Sequence, residues 1–540
     1  MDKVFDYLIV GAGSSGSVLA ERLSAAGKSV LVLEAGGSDR RFFVQMPLGY
    51  GKLFYDPAVN WAYRTEADPG LNGQRDYWPR GKIVGGSSAI NAMVWIRGHQ
   101  SDYEDWQAAT GDAFWGAESV RTAYRAIEDN ADGADDWRGV GGPLYIRSGR
   151  DAAHPLVLPY LDSCAAAGLP FNRDFNGAEQ EGAGIYQLTI KGGRRNSAAR
   201  AFLRPALRRR HVALRSRAHV TRVLFEGTRA VGVAYRWRGA LHQARAGEVI
   251  LAGGAVNTPQ VLMLSGIGPR EDLAALGIPV LVDQPQVGRN LNDHQGINYT
   301  YRVTVPTMND ILRPWWGKLA VGVKYLLTAG GPLSVSINHG GGFFRTDPAL
   351  DRPNMQLYFQ AFSTLMPREG ERPVLSPDPF SGLSIGLSNC RPSSRGTITL
   401  ASADPFAAPR ITPNAFSIDS DVAEMLAAVK FLRHIAAQQP MAGLIAEELR
   451  PGPQVQSDAA LIDDFRQRSG TVYHPSCSAR MGADPATSVL DPDLRVRGVQ
   501  GLRVCDASAF PTLIGGNTNA PAILLGWLGA QRILQTRDAI

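Results

Sequence analysis

One short segment, TVYHPSCSARMG (471–482), combines a histidine with hydroxyl and sulfur groups. The chain has nine histidines, and most need no chemical role. His474 has three interpretations: a metal ligand, a buried structural residue or a general base that accepts a proton. The segment contains no carboxylate and no second histidine, which disfavours a metal site. The other two interpretations depend on what the rest of the chain places beside His474.

The N-terminus has the pattern of a dinucleotide-binding unit. The β-rich run DYLIV leads into Gly11, Gly13 and Gly16, a helical repeat follows, and a second apolar run ends at Glu34. In such a unit the glycines permit a tight turn, approach of a pyrophosphate and close helix packing, and the carboxylate binds the ribose. The predicted cofactor contacts here are Gly11, Gly13, Ser14, Ser15, Gly16, Glu34 and Ala35.

Further strands are predicted on both sides of the middle region. Three lie between 222 and 254, with turns at Gly227 and Gly239, and another lies in LRVCDAS (502–508). Parallel strands bind ligands at their carboxyl ends, which places Ala252, Asp506 and Ala507 with the N-terminal glycines. The sequence therefore predicts one α/β, Rossmann-like nucleotide-binding domain assembled from both chain ends, with the segments 1–160, 195–295 and 465–540.

The middle of the chain has a different pattern. The segments NMQLYFQ (354–360), LSIGLSN (383–389) and GTITLAS (396–402) partly alternate polar and apolar residues, which is typical of an antiparallel sheet. The segment 421–436 predicts an amphipathic helix. We expect an inserted α+β substrate domain made of 161–194 and 296–464.

Composition limits the partners and the compartment. The net charge of +6 is small, and the basic run 204–217 lacks interleaved aromatic residues, so we predict no nucleic-acid partner. The four cysteines form no CxxC pair, which favours a reducing compartment. The N-terminus does not resemble a secretory signal, and the apolar run 520–530 is shorter than the roughly 20 residues of a membrane span. We expect a cytoplasmic protein without a membrane span.

Four motifs, in order, resemble those of a known family. They are the N-terminal glycine pattern, PRGKIVGGSSAINAMVWIRG (79–98), GAVNTPQVLMLSGIG (254–268), and the pair YHPSCSARMG and LRVCDASAFPTLIGGNTNAPAILLG. Along its whole length the chain resembles the glucose–methanol–choline (GMC) family of FAD-dependent oxidoreductases, in its choline-dehydrogenase and alcohol-oxidase branch. The resemblance implies FAD contacts at Trp61, Gly85, Gly86, Ser88, Asn91, Ala92, Met93, Val94, Val220 and Asn517. It also implies noncovalent FAD, because Ile90 occupies the position of the histidine that links flavin in some members.

The resemblance further implies a reaction. Oxidising an alcohol removes a hydroxyl proton and a hydride from carbon, and flavin N5 accepts the hydride. A family histidine in an HP motif corresponds to His474, which makes it the base. A second histidine or an asparagine stands beside it, and alignment of the terminal helix gives Asn519, with Asn517 nearer the flavin. An asparagine amide can donate a hydrogen bond to the substrate oxygen.

The substrate and the electron acceptor are less well defined by the sequence. Choline needs an aromatic box and a carboxylate; Tyr473 offers one wall, but Gln295 and Gly296 stand where choline-oxidising relatives carry glutamate. This favours a neutral primary alcohol, with Tyr473 and His339 as substrate contacts. Choline dehydrogenation and a flavin-containing lyase without a net redox step remain alternatives. Oxygen, a quinone or a redox protein could accept the electrons.

Overall fold

The structure is a computed structural model that describes residues 4–364 and 376–536. Its strands are, in chain order, β1 (Phe5–Val10), β2 (Val30–Glu34), β3 (Tyr63–Arg64), β4 (Tyr77–Trp78), β5 (Glu128–Asn130), β6 (Leu144–Ser148), β7 (Gly182–Ile185), β8 (Gln187–Leu188), β9 (Ile190–Lys191), β10 (Arg194–Arg195), β11 (Val212–Ser216), β12 (Ala218–Glu226), β13 (Arg229–Trp237), β14 (Ala240–Leu251), β15 (Ile267–Gly268), β16 (Val282–Asp283), β17 (Gln295–Val303), β18 (Gly340–Phe344), β19 (Met355–Gln360), β20 (Gly382–Asn389), β21 (Thr397–Thr399), β22 (Arg410–Thr412), β23 (Ile445–Arg450), β24 (Gly470–Thr471) and β25 (Leu502–Val504).

The α-helices are α1 (Ser14–Ala25), α2 (Phe42–Gln45), α3 (Tyr50–Leu53), α4 (Gln100–Thr110), α5 (Ala117–Ile127), α6 (Val157–Ala166), α7 (Arg204–Ala206), α8 (Gly254–Leu264), α9 (Arg270–Ala275), α10 (Met308–Leu312), α11 (Trp315–Thr328), α12 (Asp419–Ala436), α13 (Met441–Leu444), α14 (Asp458–Arg468) and α15 (Asn519–Thr536). None of the helices within the described ranges is long and apolar enough to cross a bilayer.

The first sheet joins the two ends of the chain. Its strand order is β11-β2-β1-β14-β13-β12, and β25 pairs with β14. The strands β11, β2, β1, β14 and β25 run parallel, and β1 and β2 are almost completely buried apolar runs, as parallel strands covered on both faces require. Helices α1 and α15 belong to the same core. The prediction of a nucleotide-binding sheet built from both chain ends is confirmed.

The long strand β14 pairs with an antiparallel neighbour in its first half and with a parallel neighbour in its second half. Its first half closes an antiparallel meander with β12 and β13, while its second half pairs in parallel with β1. The two turns of the meander fall at Gly227 and Gly239, which adopt φ values of +59° and +85° that favour glycine. The three predicted strands and both turns are therefore confirmed.

The second sheet is antiparallel throughout. Its order is β23-β17-β20-β19-β18-β7, and β24 pairs with the first residues of β17. Its core includes buried residues of α6, α12 and α14. The segments 354–360 and 383–389 form β19 and β20, as predicted. The third segment, 396–402, does not join this sheet: its strand β21 pairs with β22 in a separate two-stranded sheet.

Two predicted domain limits divide helices. Residue 160 lies inside α6 and residue 464 inside α14. Buried residues of both helices pack in the core of the second sheet, so each helix as a whole belongs with that sheet. This packing favours a limit before Val157 in place of 160/161 and a limit after Arg468 in place of 464/465. The return to the first sheet follows β24.

Candidate active site

A large cavity lies between the two sheets. Its volume is about 2100 Å³, and its wall includes residues from the carboxyl ends of β1 and β2 and from β17, β19 and β20. Sites for one small ligand usually occupy about 300–1,000 Å³. The cavity therefore has room for a dinucleotide and a substrate together.

The glycines after β1 shape one end of the cavity. Gly11 has φ +106°, and a Cβ there would lie 2.3 Å from the Ala252 carbonyl oxygen. A Cβ on Gly16 would lie 2.1 Å from the Gly11 carbonyl oxygen, so this glycine permits close packing and does not line the cavity. Gly13 faces open space, since a Cβ there would have its nearest neighbour 3.9 Å away, and it lines the wall together with Gly11, Ser14 and Ser15.

Glu34 ends β2 at the same wall, followed by Ala35. Its two carboxylate oxygens accept backbone N–H groups of Ala12 and Gly36 at 2.8 and 2.7 Å. Burial raises the pKa of Glu34 to about 7 against the lowering effect of these bonds. Each oxygen keeps a further lone pair, which can accept a hydrogen bond from a ribose hydroxyl.

The loop after β4 forms a second side of the cavity. Gly86 has φ +52°, and a Cβ there would lie 2.7 Å from the Cα of Gly13. The loop after β4 and the turn after β1, here called the two glycine loops, therefore touch. The Asn91 side-chain oxygen accepts the Met93 backbone N–H and an N–H of Arg195. The predicted residues of this loop that line the cavity are Gly86, Asn91, Ala92, Met93 and Val94, and Ile90 lines it as well.

Two residues of this loop for which the resemblance implies FAD contacts lie off the cavity wall. Gly85 and Ser88 do not line the cavity, whereas Ser87 does. The Ser88 hydroxyl donates to the Gly85 carbonyl oxygen at 2.6 Å and accepts the Ala198 backbone N–H at 3.1 Å. Ser88 therefore holds the loop in shape from behind its surface.

Trp61, Val220 and Ala252 also line the cavity, and Ala252 lies beside Gly11. The indole of Trp61 stacks on Tyr63, with ring centroids 5.8 Å apart, and the Lys82 ammonium lies 4.4 Å from its ring centroid. These contacts hold the indole in one orientation at the wall.

Asp506 and Ala507 follow β25 and also line the cavity. One Asp506 oxygen accepts the Gly254 backbone N–H at 2.8 Å and the Thr258 hydroxyl at 2.6 Å, and the other accepts two bonds from Ser508. Asp506 thereby ties the start of α8 to the chain that returns after β25.

Strand pairing brings two histidines together at the opposite end of the cavity. His294 directly precedes β17, whose first residues pair with β24, and His474 follows β24 by three residues. The Nδ1 atoms of His294 and His474 lie 2.9 Å apart, and both rings are buried. His294 is not among the predicted site residues. Nothing in the sequence indicates that β24 pairs with β17, which is the contact that makes these histidines neighbours.

The hydrogen bonds fix the tautomer of His474. His294 Nε2 lies 2.8 Å from the Cys390 carbonyl oxygen, an acceptor only, so Nε2 carries the proton. Burial lowers the pKa of His294 to about 4, so its Nδ1 is unprotonated at neutral pH. His474 must then donate from Nδ1 to His294. This leaves the Nε2 of His474 unprotonated, with its lone pair available as an acceptor.

Asn517 is the asparagine beside His474, and the prediction that Asn519 occupies this place is wrong. The Asn517 amide nitrogen lies 3.2 Å from His474 Nε2, and its oxygen accepts an N–H of Gln356 at 3.2 Å. Asn519 is the first residue of α15, and its side-chain oxygen accepts the Ser14 hydroxyl at 2.8 Å. Its role is to join α15 to α1.

The surroundings of His474 keep it neutral. Burial, His294 and the positive charge of Arg80 all lower the pKa of His474 well below its ordinary value. Asp293 accepts the backbone N–H of His474 at 2.8 Å, and burial raises the pKa of Asp293 to about 7. Arg80 donates to the Tyr473 carbonyl oxygen at 2.7 Å. The imidazole of His474 is therefore neutral across the physiological range.

The two predicted substrate contacts have different positions. Tyr473 lines the cavity, and its ring contacts Phe54 edge-on with centroids 5.1 Å apart. His339 is buried outside the cavity wall, parallel to the ring of His154. His339 directly precedes β18, and a substrate contact at this residue stays a prediction that the cavity wall does not support. Within the described ranges, no three His, Cys, Asp or Glu side chains form a group that could bind a metal ion.

Comparison with known proteins agrees with this geometry. The N-terminal model of the GMC oxidoreductases matches residues 5–296, and the C-terminal model matches residues 392–526. The chain belongs to the GMC oxidoreductase family. An alcohol dehydrogenase [acceptor] of Pseudomonas putida is 41% identical over 99% of this chain and 96% of that relative. The mitochondrial choline dehydrogenase of Homo sapiens is 41% identical over 96% of this chain and 88% of its own length.

Solved structures of this family have the same fold. Pyridoxine 4-oxidase from Mesorbium loti superposes with a TM-score of 0.89 at 30% identity, over 99% of this chain and 100% of that chain. A fungal aryl-alcohol oxidase superposes with a TM-score of 0.84 at 25% identity, over 99% of both chains. This GMC protein is an FAD-dependent oxidoreductase that acts on CH–OH donors.

The described residues fit FAD. The two glycine loops form a cradle in which a Cβ at Gly11 or Gly86 would collide with backbone, while Gly13 faces free space. Helix α1 begins beside this cradle, and a helix N-terminus attracts a pyrophosphate. Glu34 has lone pairs available for a ribose. The other end of the cavity presents His474 and Asn517, where a reacting alcohol would bind.

Proposed function

We propose that this protein oxidises a neutral primary alcohol to the aldehyde, with His474 as the base and Asn517 as its hydrogen-bonding partner. The observation that carries the proposal is the unprotonated His474 Nε2, which accepts a hydrogen bond from the Asn517 amide in the cavity that fits FAD. FAD, when bound, supplies the acceptor for the hydride. We propose that it is held noncovalently, because Ile90 at the cavity wall has no nucleophilic atom.

The chain's own residues handle the hydroxyl proton. A substrate hydroxyl that replaces the bond between the two side chains can donate its proton to His474 Nε2 and accept the amide N–H of Asn517. The amide then stabilises the negative charge that develops on oxygen. The bond from Gln356 keeps the nitrogen of Asn517, and not its oxygen, directed at this position.

The position of Gly296 favours a neutral substrate. A Cβ at Gly296 would lie 2.5 Å from Val472 Cγ1, so a glutamate there would have to displace Val472. Choline-oxidising relatives carry a glutamate in this region, and a buried quaternary ammonium needs such a partner for its charge. A neutral alcohol needs none.

Choline dehydrogenation is the second candidate, and aromatic rings support it. Phe54 and Tyr473 line the cavity, and the ring of Phe54 contacts both Tyr473 and Tyr77. Aromatic faces bind quaternary ammonium groups. The human choline dehydrogenase is as similar to this chain as the bacterial alcohol dehydrogenase. Comparing choline with its neutral isostere 3,3-dimethylbutan-1-ol distinguishes the two candidates.

Anaerobic mixing of the FAD-loaded protein with a panel of alcohols tests the proposal. We expect neutral primary alcohols to bleach the flavin, and the neutral isostere to do so faster than choline. His474→Ala should keep FAD but lose about 10²-fold or more in reduction rate, the usual scale for a positioned base. Bleaching by choline alone would favour the second candidate. A lyase without a net redox step would leave the flavin oxidised with every alcohol.

The acceptor and the compartment complete the proposal. Oxygen, a quinone or a redox protein receives the electrons, and mixing the reduced protein with oxygen and with a soluble quinone identifies which. We place the protein in the cytoplasm. Its four cysteines are buried free thiols, as in proteins of a reducing compartment.

A further inference from the structure

Helix α11 has an unusually apolar exposed face. Val321 and Tyr325 are its buried residues, whereas Trp315 is 71% exposed and Leu327 is 80% exposed. The exposed large apolar side chains, here called the α11 face, are Trp315, Trp316, Leu319, Val323, Leu326 and Leu327. Contiguous exposed apolar groups of this kind mark interaction surfaces.

The residues of the α11 face form one stripe. At 3.6 residues per turn, they span an arc of about 120° around the helix axis. Lys318 lies beyond one edge of this arc and Lys324 beyond the other, and Val321 and Tyr325 lie on the opposite side. An apolar stripe with tryptophans and lysines at both edges is the arrangement of a helix that lies in a lipid interface. Long lysine side chains can then extend toward the headgroups.

The charges on α11 and in the sequence that flanks it have one sign. From residue 311 to residue 346 the sequence contains no Asp or Glu, while Arg313, Lys318 and Lys324 lie in α11 or next to it. Basic residues beside an apolar face are attracted to anionic lipid headgroups. The same charges oppose self-association, because a symmetric dimer would bring each cationic edge against its copy.

The α11 face borders the opening of the cavity. Lys318, Val321 and Leu326 line the cavity from this helix. Phe42 and Phe43 are exposed and line it as well, and Phe42 contacts Tyr325 with ring centroids 6.2 Å apart. The apolar surface of α11 therefore continues into the wall of the cavity.

We propose that the α11 face docks the protein on an anionic lipid surface, with its tryptophans and leucines inserted at the headgroup level and its lysines bound to the headgroups. The helix would lie in the plane of the surface, with the cavity opening toward it. This docking does not depend on which alcohol is oxidised, and it is measured without turnover.

Vesicle sedimentation of the FAD-loaded full chain tests this docking. We expect binding to vesicles of phosphatidylcholine mixed with phosphatidylglycerol, weaker binding to phosphatidylcholine alone, and release of the charge-dependent part by salt. The triple variant Trp315→Ser, Trp316→Ser, Leu327→Ser should bind at least about tenfold more weakly. None of these three residues lines the cavity, so FAD content and turnover of a short water-soluble alcohol should match wild type.

Two single variants separate charge from apolar contact. Lys324→Gln should weaken binding to the anionic vesicles about fivefold and leave binding to phosphatidylcholine unchanged. The control is Leu241→Ser, which removes a leucine that is 74% exposed on β14 of the other sheet and should bind like wild type.

Three outcomes would overturn the proposal. The wild-type protein could stay in the supernatant with every vesicle, or the triple variant could bind like wild type. In the third outcome, the wild-type protein binds no vesicles, light scattering shows that it is a dimer without lipid, and the triple variant is a monomer. That result would make the α11 face a contact between two copies of the chain.

Discussion

Replacement of His294 tests how the tautomer of His474 is set. In His294→Leu the Nδ1–H of His474 loses its acceptor, at present 2.9 Å away. An unsatisfied buried donor costs about 1–3 kcal/mol. Since 1.36 kcal/mol is a factor of ten, the tautomer with a free Nε2 lone pair would lose about 5- to 150-fold in population. The rate of flavin reduction should fall by a similar factor, with FAD still bound because His294 lies at the far end from Glu34.

His294→Gln is the matched variant. Its amide oxygen can accept from His474, and its amide nitrogen can donate to the Cys390 carbonyl oxygen, so the reduction rate should fall less than about tenfold. The assay is anaerobic stopped-flow reduction by one alcohol, with flavin content and thermal unfolding measured for each variant. Reduction of His294→Leu at the wild-type rate would refute the reasoning. Equal losses in both variants, with intact FAD binding, would show that ring shape rather than hydrogen bonding matters.

Three further results are expected. Asn517→Ala should lower the flavin reduction rate about tenfold or more, because the Asn517 amide contacts His474. Asn519→Ala should mainly lower the melting temperature, because Asn519 bonds Ser14. The reverse pattern would contradict the choice of Asn517 as the partner of His474. Gly16→Ala should be purified without flavin, since its Cβ would lie 2.1 Å from the Gly11 carbonyl oxygen and would displace the turn that binds FAD. A full flavin spectrum in this variant would show that close packing at Gly16 is not needed for FAD binding. The reduction rate should stay constant as pH falls to 6.5 and decline only at lower pH, because a lowered pKa keeps His474 deprotonated. Asp293→Asn removes the neighbouring carboxyl, whose pKa is about 7, so that any remaining pH dependence reports on His474. If the reduction rate of this variant were half-maximal at pH 6.5 or above, the lowered pKa of His474 would be contradicted.

The first sheet is predictable from the sequence because its signals are local. Glycines mark the turns of the β12–β14 meander, and buried apolar runs mark β1 and β2. The third middle strand lies in a different sheet from the one expected, because alternation predicts a strand but does not specify its partner. The domain limits differ for a similar reason: α6 and α14 have ordinary helical patterns, and only packing assigns them to the second core.

The site is predictable only in part. The motif around His474 predicts the residue that we propose as the base, and most of the predicted cofactor contacts line one cavity. The choice between Asn517 and Asn519 depends on where α15 begins, and helix limits are uncertain from sequence by about two to four residues. His294 escapes prediction because its contact with His474 joins segments 180 residues apart. The direction of the His339 side chain depends on how the chain enters β18, which the local sequence does not specify.

The closure of the first sheet by β25 has a consequence for biosynthesis. At about 5–20 residues per second, a ribosome makes β25 and α15 on the order of a minute after β1 and α1. Until then β14 lacks its neighbour β25, Ser14 lacks the Asn519 acceptor, and the cavity lacks its wall at Asp506. The nascent chain therefore has no complete flavin site until β25 and α15 have been made, so FAD is captured only after their synthesis. Supply of the cofactor then acts on the yield of folded protein as well as on its activity.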